Sequence, residues 1–78
     1  MPMFDADEFK RAFETVLEVM RQGERNHLPD EWKAYPPEYH IERAINHLHE
    51  WQAGDTREDH LSHAATRLLL ALTLRDVS

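Results

Sequence analysis

The sequence predicts an all-α fold: a small three-helix domain with a central antiparallel helix hairpin, completed as a helical bundle by dimerisation. Three observations predict it. Apolar residues recur at spacings of three and four along three separate stretches. The two glycines, Gly23 and Gly54, fall where the first two stretches close. The last stretch carries more apolar residues than one buried face requires.

The first helix is expected over about residues 6–22. Asp5 followed by Glu8 fits a capping box, and Phe9, Ala12, Phe13, Val16, Leu17 and Met20 make the apolar stripe. Gly23 is its natural terminator. Glu14 and Glu18 share a face and read as solvated acids or metal ligands. Residues 23–36 are irregular, with a short helical turn predicted from Pro29 to Lys33, because proline suits a first helical position. Trp32 would anchor this segment over the core, as a clasp or as a lid.

The second helix is predicted over 37–53, burying Ile41, Ala44, Ile45, Leu48 and Trp51. Gly54 ends it. Asp55 with Glu58, or Thr56 with Asp59, offers the next N-cap. A connection of about three residues makes the neighbouring helices antiparallel. The third helix is predicted over 57–75, with Leu61, Ala64, Ala65, Leu68, Leu69 and Leu72 facing one way. Leu70, Ala71 and Leu74 spread apolar surface round its C-terminal half. In a chain this short either the first helix and the Trp32 segment wrap this helix or a second subunit does; the favoured reading is a homodimer through helix 57–75. A weak internal echo, HIERAINHL from His40 and HLSHAATRL from His60, suggests two similar units packed together.

Composition narrows the function. Seventy-eight residues with no cysteine make one domain without disulfides or thiolate zinc sites. A net charge of −6 argues against binding double-stranded nucleic acid. The N-terminus has no basic region leading into an apolar run, so it does not read as a signal peptide. The longest near-apolar run, Leu68 to Leu74, is too short to span a bilayer. The expected location is the cytoplasm, or a host cell's cytoplasm for a viral protein.

The distinctive residues are histidines and acids on the hairpin. His47 and Glu50 are three apart, as are His60 and His63, and Asp59 lies four before His63, so each pair stacks on one helix face. An antiparallel hairpin would gather His47, Glu50, Asp59, His60 and His63 beside its loop. Three uses are open. Glu50, Glu58, Asp59 and His60 can hold a divalent metal, with carboxylates suiting magnesium and imidazole suiting transition ions. His47 or His63 can act as a general base, with Glu50 and Asp59 beside them in the catalytic set and Arg43 and Arg67 neutralising phosphate oxygens. The histidines can also be structural, forming hairpin hydrogen bonds. His27 falls in the irregular, flexible-looking segment, and His49 reads as solvated.

From Asn46 to Asp55 (NHLHEWQAGD) and from Glu58 to Leu72 (EDHLSHAATRLLLAL) the chain resembles a largely phage-encoded family, the dATP/dGTP diphosphohydrolase-like N-terminal domain. Trp51, Gly54, Asp55, His60, Leu61, His63 and Ala64 carry the likeness. That family is distantly similar to the all-helical MazG-type pyrophosphohydrolases, which hold magnesium on acids of facing helices and work as oligomers. The resemblance implies hydrolysis of a (deoxy)nucleoside triphosphate to monophosphate and pyrophosphate with Mg2+ or Mn2+. It aligns His47, Asp55, Glu58 or Asp59, His60 and His63 with the family's polar positions. The chain departs from the pattern in being shorter before HLSHA and in carrying Arg67 where the family often has asparagine. Of the paired ExxE and ExxD acids of MazG-type sites, only Glu38 with Glu42, and Asp55 with Glu58 or Asp59, come near. The alternative is a non-catalytic phage protein that binds a host protein through its exposed face around Trp32 and Tyr35.

Overall fold

A computed structural model describes residues 5–28 and 30–77, with Val77 described by its backbone alone. Among these residues it is all-helical: α1 spans Ala6–Asn26, α2 Pro37–Gln52 and α3 His60–Val77, with a 3-10 turn at Glu31–Ala34 before α2. There is no strand among them, as the periodicity predicts.

Each helix end has a local cause. Asp5 caps α1, its carboxylate accepting from the Asp7 backbone N–H at 2.9 Å. Gly23 does not end α1. The helix continues to Asn26, because Glu24 and Arg25 are good helix formers and Gly23 keeps a negative φ. The predicted turn from Pro29 is a 3-10 turn that begins at Glu31; Pro29 itself lies outside the described residues. Pro37 opens α2 at a position where its missing N–H costs nothing. Gly54, with φ 83°, closes α2 in the left-handed conformation. The Gly54 N–H then bonds Trp51 O at 3.0 Å and the Asp55 N–H bonds Glu50 O at 3.1 Å, the two bonds of a Schellman turn.

The third helix begins later than predicted. Neither Asp55 nor Thr56 caps it. Asp59 does, accepting from the Ser62 N–H at 3.2 Å and the Ser62 hydroxyl at 2.6 Å. The connection therefore runs over 53–59 instead of about three residues.

The seam between α2 and α3 corrects the predicted core. Of the α2 stripe only Ala44 is buried; Ile41, Ile45, Leu48 and Trp51 are exposed, Trp51 by 53%. On α3, Ala64 is buried but Leu61, Leu68 and Leu72 are exposed. The buried seam is instead His40, Ala44 and half-buried His47 against His60, Ala64, half-buried Arg67 and Ala71. These positions are three and four apart on each helix, and alanines at the centre let the two backbones approach. Polar side chains fill the two ends of the seam. Leu61, Leu68 and Leu72, each one helical step aside, stay exposed.

The first helix packs lightly on α3. Val16 is its only buried residue, while Phe9, Phe13 and Leu17 stay exposed. The radius of gyration, 13.7 Å, exceeds the roughly 11.5 Å expected of a compact chain of this length. No described helix is long and apolar enough to cross a membrane.

Candidate functional site

The antiparallel hairpin sets the last turns of α2 beside the first turn of α3. His47 and His60 meet there, Nδ1 to Nδ1 at 2.9 Å. The Schellman turn aims Asp55 at the same spot, and its Oδ2 lies 2.6 Å from His60 Nε2. The other oxygen, Oδ1, accepts from the Arg57 backbone N–H at 3.3 Å and from Arg57 Nε at 2.7 Å. A continuous chain of hydrogen bonds thus runs from Arg57 through Asp55 and His60 to His47. His60 is 4% exposed, so this chain is anchored in the seam. His63 stacks on the His47 ring with centroids 5.1 Å apart.

A cleft of about 260 Å³ opens over these residues, lined by Arg43, Asn46, His47, Glu50, Asp55, Arg57, Glu58 and His60. Two arginines and an asparagine therefore face the same space as two histidines and three acids. His47, Glu58 and His60 each bring one donor atom within 4.8 Å of the others, and so do Glu50, Asp55 and His60. Among the described residues these are the groups of three that can hold a metal ion.

The electrostatics follow from the same contacts. Burial pushes His47 below the ordinary imidazole value of 6.5, and the adjoining His63 and His60 rings push it further. The neutral ring is therefore favoured at neutral pH. Hydrogen bonds from the Arg57 and His60 side chains hold Asp55 far below the usual carboxylate range. The Ser62 hydroxyl and backbone N–H hold Asp59 down as well.

The residues singled out from sequence separate into three places. His47, Glu50, Glu58, His60 and Arg43 meet at the cleft. Asp59 and His63 face a second, larger cleft of about 530 Å³ between α1 and α3, which Glu14, Glu18 and Glu58 also line. Only Glu58 borders both. Arg67 lies at the far end of the seam, where its Nη1 is 3.0 Å from His40 Nδ1 and its guanidinium sits 5.8 Å from the Tyr39 ring centre. Asp55 and Arg57 are the additions. Asp55 was legible as a polar residue after glycine, but its link to His60 required the longer connection. Nothing in the spacing marked Arg57.

The loop end of an all-helical hairpin thus gathers imidazoles, carboxylates and arginines around one small cleft. The chain belongs to the dATP/dGTP diphosphohydrolase N-terminal family, whose model matches residues 4–77. No curated protein and no solved structure matches it.

Proposed function

We propose that this protein is a nucleotide pyrophosphohydrolase domain, hydrolysing a purine deoxynucleoside triphosphate to the monophosphate and pyrophosphate at the loop end of the hairpin. The family supports the reaction class. The observation that carries the reading to this cleft is the convergence of His47, His60, Glu50, Asp55 and Glu58 with Arg43 and Arg57 on one side.

The donor set fits a divalent ion. It mixes imidazole nitrogen with carboxylate oxygen, which suits Mn2+ better than Mg2+, an ion that prefers oxygen throughout. Glu50, Glu58 and Asp55 with His47 would hold it. When bound, such an ion would polarise the phosphoryl group and offset its negative charge. Arg43 and Arg57 would pair with the phosphate oxygens. His47, held neutral, would accept a proton from the water whose oxygen bonds to the α-phosphorus as the bond to the bridging oxygen breaks. Pyrophosphate leaves from that bond.

A second copy of the chain completes this reading. Exposed leucines on α3, with Ile41, Ile45 and Leu48 on α2 and Phe9, Phe13 and Leu17 on α1, leave apolar stripes on every helix. Large contiguous apolar patches are uncommon on monomers. A homodimer through α3 would cover Leu61, Leu68 and Leu72.

The test is pyrophosphate release from dATP and dGTP with Mn2+ or Mg2+. Release is expected, with His47→Gln and Glu58→Gln each lowering it at least a hundredfold. Absence of release with any metal–nucleotide pair, together with no thermal shift, would turn the reading to a non-catalytic protein that binds a host protein through these apolar stripes.

A further inference from the structure

We propose that Asp55 is a positioning residue that determines, through His60, which ring nitrogen of His47 is left bare. The inference deepens the functional reading above, in which His47 accepts a proton or a metal ion.

The argument is one of hydrogen counting. An ionised carboxylate only accepts hydrogen bonds. Asp55 Oδ2 lies 2.6 Å from His60 Nε2, so that nitrogen carries a hydrogen. A neutral imidazole has one N–H, which makes His60 Nδ1 an acceptor. His47 Nδ1 is 2.9 Å from it, and a bond between two ring nitrogens needs one hydrogen. That hydrogen belongs to His47 Nδ1. His47 Nε2 is then the nitrogen with a free lone pair, the atom fit to take a proton from water or to ligate a metal. The arrangement has the logic of a supporting group that orients a working histidine by bonding its other nitrogen. Here the supporting carboxylate stands one imidazole further away.

The orientation of Asp55 is itself determined. Its Oδ1 already accepts from two Arg57 donors, the backbone N–H and Nε–H. In Asp55→Asn the amide oxygen would keep those two bonds, which turns the NH2 group toward His60 Nε2. His60 must then accept at Nε2 and donate from Nδ1. His47 must accept at Nδ1 and carry its hydrogen on Nε2. One substitution at the loop therefore closes the lone pair of His47 without touching His47.

The test is long-range proton–nitrogen NMR on protein labelled with 15N-histidine, above the ordinary imidazole titration range of about 6.5. His60 is expected with its hydrogen on Nε2 and His47 with its hydrogen on Nδ1, and D55N is expected to exchange both. The spectrum of the unaltered protein already decides the matter if D55N does not fold. A hydrogen on His47 Nε2 in the unaltered protein, or a doubly protonated His60, would overturn the proposal. So would D55N with both assignments unchanged. Pyrophosphate release separates this from the functional reading. D55N with exchanged hydrogens should release at least a hundredfold less. Exchanged hydrogens with undiminished release would uphold the relay and remove His47 from the chemistry.

Discussion

Arg67 reaches across the hairpin from α3 and donates from Nη1 to Nδ1 of His40, 3.0 Å away on α2, where His40 is wholly buried. The other nitrogen of His40, Nε2, is 2.9 Å from Trp32 O and donates to it. His40 thereby ties the 3-10 segment to the seam, and Trp32 anchors that segment through its backbone carbonyl. The same pattern recurs at the opposite end. His60, like His40, donates from Nε2 and accepts at Nδ1, and its Nδ1 partner is His47. In the HIERAINHL and HLSHAATRL echo, His40 aligns with His60 and His47 with Arg67. The two cross-helix pairs are thus equivalent positions of one seam, one now structural and one at the cleft.

Replacing Arg67 with methionine keeps the half-buried stem but removes the donor. His40 Nδ1 would be left buried without a partner, at a cost of about 2 kcal/mol. Thermal unfolding by circular dichroism should show a fall of roughly 8–16 °C for a domain of this size. A changed KM for nucleotide with unchanged stability would instead mark Arg67 as a phosphate contact.

Gly54→Ala is expected to destabilise by about 1–2 kcal/mol, because only the backbone opposes it: φ is 83° and no atom lies within 4 Å of the added Cβ. Denaturant unfolding measures the loss. Since Gly54 also delivers Asp55 to His60, the His60 imidazole resonances should shift in this variant.

Asp59→Ala removes the side chain that satisfies the Ser62 N–H at the start of α3. A loss of about 1 kcal/mol is expected, and Asp59→Asn should restore most of it, since asparagine caps equally well. Urea midpoints of the two variants supply the comparison.

Stability should rise with pH across the window that ends near 6.5. His47 has a lowered pKa in the native state, so below the ordinary imidazole value the unfolded chain binds more protons than the folded one. Folding free energy is therefore lost as pH falls from about 6.5 toward the native pKa, and is steady below it. Asp55 and Asp59, both lowered, add a second loss further down, as pH drops through the carboxylate range. Urea titrations at a series of pH values should show the first slope disappear in His47→Gln.

A paired substitution, Leu68→Glu with Leu72→Glu, should convert the proposed dimer to monomers in sedimentation. Neither side chain is buried within one chain, so helicity at high concentration should be retained. An unchanged sedimentation coefficient would exclude α3 as the interface.

Much of this was legible in the residues. The three helices follow from apolar periodicity, and the Gly54 break follows from a residue that alone accepts a left-handed turn at low cost. The meeting of His47, Glu50 and His60 follows from an antiparallel hairpin, whereas Asp59 and His63, expected with them, line the other cleft. Periodicity also says that a helix has an apolar face, but not which neighbour meets it. Here the seam chose the face with histidine and alanine, because small residues admit a close approach and the polar ends satisfy one another across it. The leucine face was left outside. The loop was decided in the same way: Asp55 could cap a helix or bond a histidine, and only the position of His60 in three dimensions settled it. Local preference is written in neighbouring residues, so the sequence by itself determined the elements and the polar inventory. Which donor meets which acceptor depends on partners 13 and 27 residues away, and only the tertiary structure decided that.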